Sequence, residues 1–196
     1  MKHPVAIIGS GQTNHCSRRL DVNAPELTNE AVQAACQDAD MDIDEIDALV
    51  VGNMEHFEGI HLSDLWVTEG TGGIKKPQLK VATGGTTGSS LAQAAYYLVA
   101  GGLFKNVLAV GWERLSDSEG ETTTGIVTAF DPIYERPTLA GAVSGLAILA
   151  CQYQQQYHTT PEEAAEVVVQ ARKNAQLNPH AHLTKEVTIE EVVSSP

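Results

Sequence analysis

The sequence predicts an α/β fold, in which a sheet is covered by helices. Short, wholly apolar runs of the kind that form strands buried on both faces alternate with longer segments whose apolar residues recur at helical spacing. Glycine, proline and helix-capping residues separate the two kinds of segment. A chain of 196 residues is also long enough to bury a sizeable core.

Four apolar runs are predicted to be strands. They lie at 5–8, 48–51, 78–82 (QLKVA) and 106–113 (NVLAVGWE). Gly9 and Gly11 follow the first run as turn residues would. A further apparent strand precedes a capped turn at 188–191, near the end of the chain.

Helical spacing and end signals predict the helices. The predicted ranges are 25–39, 61–69, 89–100, 138–157 and 161–177. Thr160, Pro161 and Glu163 have the residue types of an N-cap, an N1 proline and a capping-box glutamate. Asp42 and Glu45 show the same box before a short turn. The polar excursion 116–136 is long enough to be a lid, an oligomer contact or a disordered loop.

Composition excludes several classes of function. The formal net charge of -13 disfavours nucleic acid and anionic membranes as partners. No apolar run approaches the length of a membrane span. Cys16, Cys36 and Cys151 are too sparse for a disulfide framework or a zinc site, and the histidines do not form an HExxH motif, so no metal site is expected. These features favour a protein of the reducing cytoplasm.

A glycine-rich elbow between the strand at 78–82 and the helix at 89–100 is the candidate site. Gly84 and Gly85 allow unusual backbone geometry, and the start of the following helix points its N–H groups and positive dipole end at the elbow. Such an elbow stabilises a thiolate, a carbonyl oxygen or an enolate, or is only a turn that lets the helix approach the strand. Spacing alone leaves these alternatives open.

Four stretches together resemble the N-terminal half of the thiolases, in the branch of the sterol-carrier-protein-type and archaeal acetoacetyl-CoA enzymes. They are VATGGTTGSSLAQAAYYLVAGG at 81–102, VLAVGWERLSDS at 107–118, IDALVVGNMEHFEGIHLSD at 46–64, and 157–196 with its NAQLNPHA run. The resemblance implies a thiolase α/β unit across 1–196, with a mixed five-stranded sheet and 89–100 as a buried central helix. It also implies that the family's C-terminal half is absent, so that a second chain supplies it or the sequence is a fragment.

The resemblance also identifies a departure at the elbow. Alignment on Gly88, Ser89 and Ser90 puts the family's nucleophilic cysteine at position 85, where this chain has glycine. A glycine cannot hold an acyl group covalently. Gly84, Ser89 and His56 are then expected to shape the substrate site.

Three functions are compatible with this departure. The first is an acyltransferase- or lyase-type thiolase-like subunit of lipid metabolism that breaks or forms a carbon–carbon bond in an acyl-CoA without a covalent acyl-enzyme. The second is a non-catalytic scaffold or regulatory subunit, and the third is a fragment of an acetyl-CoA acyltransferase. Coenzyme A is expected as part of the substrate, with no covalently bound cofactor. The expected partners are a second copy across the 78–82 strand, a chain carrying the C-terminal half, or an OB-fold/zinc-ribbon protein.

Overall fold

The computed structural model describes residues 4–55, 57, 61–117, 126, 130–139 and 141–195. His56 and part of the 116–136 excursion therefore lie outside the described residues. The chain divides into two compact units. Unit 1 comprises Met1–Thr13 and Ser17–Thr122, and unit 2 comprises Asn14–Cys16 and Thr123–Pro196.

Unit 1 is built on a parallel sheet. Its strands are β1 (Ala48–Gly52), β2 (Gln78–Lys80) and β3 (Val107–Gly111), in the order β2-β1-β3. The sequence predicted a strand at each of these places. In the register, Val51 lies beside both Lys80 and Val110, and Gly52 lies beside Gly111. The carboxyl ends of all three strands therefore lie at the same edge of the sheet.

The helices of unit 1 are α1 (Ala24–Ala39), α2 (Ser63–Trp66) and α3 (Thr87–Ala100). Short 3-10 turns occupy Ile43–Glu45, Gly84–Thr86 and Leu115–Asp117. The predicted capping box of Asp42 and Glu45 is confirmed. The predicted glycine end of α3 is confirmed as well: Gly102 has a φ of 73°, its N–H donates to Val99 at 2.9 Å, and the next N–H donates to Leu98 at 3.1 Å.

The core of unit 1 fills both sides of β1, whose residues are all buried. One side faces α1, and its buried cluster consists of Ala24, Val32, Cys36, Ile46, Leu49, Val51, Val67, Val110 and Trp112. The other side carries α3, which contacts both β1 and β3 and buries Leu91. A sheet covered on both faces is the arrangement that the apolar strand runs predicted.

Unit 2 is helical. It contains α4 (Ala142–Tyr157), α5 (Pro161–Ala175) and α6 (Ile189–Val193), of which α5 and α6 are in contact. Capping boxes open α5 at Thr160 and α6 at Thr188, as predicted. α4 begins later than the predicted residue 138, because Gly141 has a φ of 136° that interrupts helical geometry just before it.

The strand predicted at 5–8 is wrong, and Ile7 is 93% exposed. The reason is that the following segment lies against α1 instead of the sheet. A Cβ at Gly9 would be 2.6 Å from the Ala35 carbonyl oxygen, and one at Gly11 would be 2.1 Å from that of Ala31. The apparent strand before Thr188 is not a strand either, so the described residues form three parallel strands where a mixed sheet of five was expected.

Helix α3 is less buried than predicted. Its buried residues are Thr87, Leu91 and Ala100, whereas Tyr97 is 67% exposed. The difference arises because only one side of α3 rests on the sheet in this chain.

Candidate functional site

The elbow joins β2 to α3 through the 3-10 turn Gly84–Thr86. Gly84 has a φ of 62°, in the left-handed region that favours glycine. Gly85 does not have a positive φ. A Cβ at either position would meet nothing within 4 Å. Gly84 is therefore required by the backbone, whereas Gly85 leaves open a position that a side chain could occupy.

Hydroxyl groups hold the elbow in place. The Thr83 N–H donates to Thr87 Oγ1 at 3.0 Å, and that hydroxyl donates to the Gly84 carbonyl oxygen at 2.7 Å. The Thr86 hydroxyl donates to the Thr83 carbonyl oxygen at 2.9 Å. Thr83 Oγ1 also lies 2.8 Å from Ser90 Oγ, one turn into α3. These bonds fix the elbow to the first turns of the helix.

Two glycines at the ends of neighbouring strands let α3 approach the sheet. A Cβ at Gly52 would lie 2.2 Å from the Val81 carbonyl oxygen and 2.9 Å from Thr87 Cγ2. A Cβ at Gly111 would lie 2.9 Å from Leu91 Cδ1. Because these two glycines are paired in the sheet, they form a hollow into which Leu91 fits, and this contact positions the elbow.

The strand ends around the elbow are tied to one another. The Met54 N–H, after β1, donates to the Glu113 carboxylate, after β3. The Trp112 N–H donates to the Gly52 carbonyl oxygen at 3.3 Å. This carboxyl edge of a parallel sheet is where α/β proteins bind their ligands.

A charged group stands at the same edge. Lys80, the last residue of β2, forms an ion pair with Glu55, and Asp64 Oδ1 lies 3.6 Å from its Nζ. The hydrogen bond from Lys80 holds the pKa of the Glu55 carboxyl below its usual value. This group was not predicted from the sequence, although a lysine within the apolar QLKVA strand is a signal that a charged partner lies nearby.

The structure brings together three of the four predicted site residues. Gly84 and Gly85 form the elbow, and Ser89 is exposed in the first turn of α3. His56, the fourth, lies outside the described residues.

The described residues hold neither a cluster of metal-binding side chains nor a helix suited to a membrane. They contain no group of three or more histidine, cysteine, aspartate or glutamate side chains placed to hold a metal ion. Among these same residues, no helix has both the length and the apolar character that crossing a membrane requires.

Comparison with known proteins assigns the family. Residues 5–193 match the thiolase N-terminal domain. The chain is 31% identical over 194 residues to an acetyl-CoA acetyltransferase of Methanothermobacter thermautotrophicus, covering 97% of this chain and 50% of that protein. It is 26% identical over 206 residues to sterol carrier protein 2 of Gallus gallus, covering 100% of this chain and 37% of that protein.

A solved structure extends the comparison to the fold. The chain resembles the Ltp2-ChsH2(DUF35) aldolase with a TM-score of 0.73 and 26% identity, over 97% of this chain and 48% of that one. The chain thus spans about half the length of the archaeal relative and of the aldolase chain, and less of sterol carrier protein 2. With its α/β fold and its glycine elbow at the carboxyl edge of the sheet, this chain belongs to the thiolase family and matches its N-terminal domain.

Proposed function

We propose that this chain is the thiolase-like part of an enzyme that breaks or forms a carbon–carbon bond in an acyl-CoA without a covalent acyl-enzyme. The observation that carries the proposal is the glycine at 85. We match Gly88, Ser89 and Ser90 to the family's motif, which puts Gly85 at the position of the nucleophile, and glycine has no side chain to hold an acyl group. The likeness to a solved aldolase of this fold supports the same reading.

The elbow suits a reaction that passes through an enolate. In the cleavage direction, a base takes the proton of the substrate's β-hydroxyl group, and the electrons of the O–H bond form a carbonyl. The bond between the α- and β-carbons breaks, and its electrons form the enolate of the shortened acyl-CoA, which is then protonated at carbon. The positive end of α3 favours the enolate oxygen.

The open elbow also suits a bulky substrate. Cβ atoms at Gly84, Gly85 and Gly88 would each meet nothing within 4 Å, so the substrate's branched carbon has room where a thiolase has its thiol. We place Ser89 and His56 among the residues that line this space. Coenzyme A enters only as part of the substrate.

Helix α4 supports the proposal of a heteromer. It has 16 residues and none of them is charged. Its large apolar side chains are more than half exposed: Val143, Leu146, Ile148, Leu149, Tyr153 and Tyr157. Exposed apolar surface of this kind marks an interface. We propose that a chain equivalent to the C-terminal half of the relatives covers it, with an OB-fold/zinc-ribbon protein as a further partner.

Strand β2 supports a second contact, between two copies of this chain. Among the described strands it lies at the edge of the sheet, with Leu79 45% exposed, and an edge strand offers backbone groups to which another strand can pair. We therefore propose a homodimer across residues 78–82. We also propose a reducing, cytoplasmic compartment, because the three cysteines are free thiols. A role in lipid metabolism follows from the acyl-CoA substrate that we propose.

The test is to express this chain with the products of its neighbouring genes, purify the complex and supply β-hydroxyacyl-CoA. The expected result is release of an aldehyde or ketone together with a shorter acyl-CoA. Trapping followed by mass spectrometry should find no substrate adduct on Cys16, Cys36 or Cys151. An adduct on any of these thiols contradicts the proposal.

Two other functions are separated by the same assay. The archaeal acetyltransferase relatives favour conventional thiolase activity, which requires CoA-dependent cleavage of a β-ketoacyl-CoA by the complex. The absent nucleophile equally suits a scaffold. In that case the complex is inactive until a cysteine-bearing thiolase is added.

A further inference from the structure

Lys80 is a charged residue in a partly buried position. It ends β2, and Val81, Ala82 and Thr83 separate it from the elbow. Its side chain is 23% exposed, and the Glu55 side chain that it pairs with is 26% exposed. Partly buried charges are costly to separate, so this contact resists opening.

The Glu55 carboxylate links Lys80 to the start of α2 by hydrogen bonds. Its Oε1 accepts the Lys80 bond and also accepts from the Ser63 N–H at 3.2 Å. Ser63 is the first residue of α2, and the N-cap residue Leu62 supplies no side-chain acceptor. The Glu55 carboxylate therefore takes the place of a local cap.

Asn53 is a second hydrogen-bond acceptor for Glu55 and Ser63. Its Oδ1 accepts from the Glu55 N–H at 3.1 Å and from the Ser63 hydroxyl at 2.8 Å. Asn53 and Ser63 are both buried. Side-chain hydrogen bonds of Asn53 and Glu55 thus join the end of β1 to the start of α2. Lys80 binds this network through the Glu55 carboxylate.

Two described residues close to this contact have backbone conformations that need support from their surroundings. Glu55 has a φ of 61° and Leu62 a φ of 59°, in the left-handed region that residues other than glycine rarely adopt. Such conformations persist only where surrounding contacts enforce them. The Lys80–Glu55 pair is one of these contacts.

We propose that Lys80 is a positioning residue, which acts through Glu55 to hold the segment 53–55 and the first residue of α2, Ser63, at the carboxyl edge of the sheet. β1 and β2 are adjacent and parallel, so this segment and the elbow leave the sheet at the same edge. By fixing that segment, Lys80 sets how tightly the acyl substrate binds. This last step rests on the proposed function, whereas the positioning itself does not.

The positioning is tested by amide hydrogen exchange in the full chain. Lys80→Met should accelerate exchange at Glu55 and Ser63 by about ten- to hundred-fold, the factor expected for losing a charge-assisted hydrogen bond. Lys80→Arg, which keeps the positive charge beside the Glu55 carboxylate, should retain slow exchange. Glu30→Gln is the matched control, because it breaks the 2.6 Å contact with Arg19 in the same unit without touching this segment.

Unchanged exchange at Glu55 and Ser63 in Lys80→Met overturns the positioning, whatever the activity. Glu55→Gln, which keeps the size of the side chain and removes its charge, repeats the test if Lys80→Met does not fold. Faster exchange in Glu55→Gln supports the positioning, and unchanged exchange again overturns it.

The effect on the substrate is tested in the assembled complex. Lys80→Met should raise KM for β-hydroxyacyl-CoA at least about fivefold while kcat stays within twofold, as expected when binding alone is lost. A fall in kcat at unchanged KM overturns the link to substrate binding, because Lys80 would then act on the chemical step. If the wild-type complex does not cleave this substrate, the proposed function fails, and the exchange experiment still decides whether Lys80 positions the segment.

Discussion

At the scale of single residues, the adjacent glycines of the elbow have different reasons to be glycine. Gly84 has a left-handed backbone, while at Gly85 a side chain would enter open space. Backbone conformation therefore restricts residue 84, and the chemistry that we propose restricts residue 85.

This difference predicts opposite outcomes for two cysteine variants. Gly85→Cys should change the free energy of unfolding by less than about 0.5 kcal/mol and add a thiol that iodoacetamide modifies in the native state. Gly84→Cys should lower the free energy of unfolding by about 1 kcal/mol or more, because a left-handed backbone is strained for cysteine. Urea unfolding measures both values. Equal costs at the two positions would show that the elbow has a different backbone.

A second pair of glycines predicts how closely α3 must approach the sheet. Gly52→Ala should destabilise the fold by about 2–4 kcal/mol, because its Cβ would meet the backbone oxygen of Val81 at 2.2 Å. Gly88→Ala is the matched control. It lies in α3 with open space around it and should stabilise the fold by roughly 0.5–1 kcal/mol through helix propensity. Thermal unfolding that shows no loss for Gly52→Ala contradicts the close contact.

At the scale of elements, Asp47 links the turn before β1 to the turn before β3. Its Oδ2 accepts from the Asn106 N–H at 2.8 Å and the Lys105 N–H at 3.0 Å, and these bonds lower the pKa of the carboxyl. Because the folded pKa is lowered, the stabilisation is complete above the unfolded pKa of about 3.9 and is lost as the pH falls through the folded value.

Asp47→Asn should therefore be less stable than the wild type at pH 7, and the difference should shrink as the pH approaches 3. Chemical unfolding at a series of pH values measures it. A difference that is the same at pH 7 and pH 3 would mean that the Asp47 charge does not support the turns.

Local signals identify the elements well where the deciding contacts are local. The reciprocal bonds of Thr160 with Glu163 and of Asp42 with Glu45 lie within one turn, so residue types alone located both. The run at 5–8 has the residue types of a strand as well, but strand formation depends on an edge to pair with. Because Gly9 and Gly11 are in close contact with α1, the segment lies against that helix and does not pair with a strand.

At the scale of the whole molecule, charge and apolar surface are unevenly distributed. The net charge is -13, yet α4 has no charged residue and exposes large apolar side chains. Exposed apolar surface without charge is typical of a contact with another chain, so α4 is expected to meet a partner.

Charges placed on α4 should therefore block assembly without unfolding the chain. Leu146→Glu and Tyr153→Glu should each weaken the complex at least about tenfold, the usual effect of a charge at an apolar contact. Val167→Glu, on the charged and exposed helix α5, is the control and should leave the complex intact. Size-exclusion chromatography with light scattering measures assembly, and circular dichroism checks the fold. An intact complex with both α4 variants removes α4 from the interface.

The sequence by itself determined the alternation of strands and helices, the capped helix starts and the glycine at 85, because each depends on residues close together in the chain. It also carried the four stretches that resemble the thiolase family. Only the tertiary structure decided which strands pair, that Leu91 fits between Gly52 and Gly111, and that Lys80 meets Glu55. These contacts join residues distant in sequence, and their partners are selected by packing and by the cost of burying an unpaired charge.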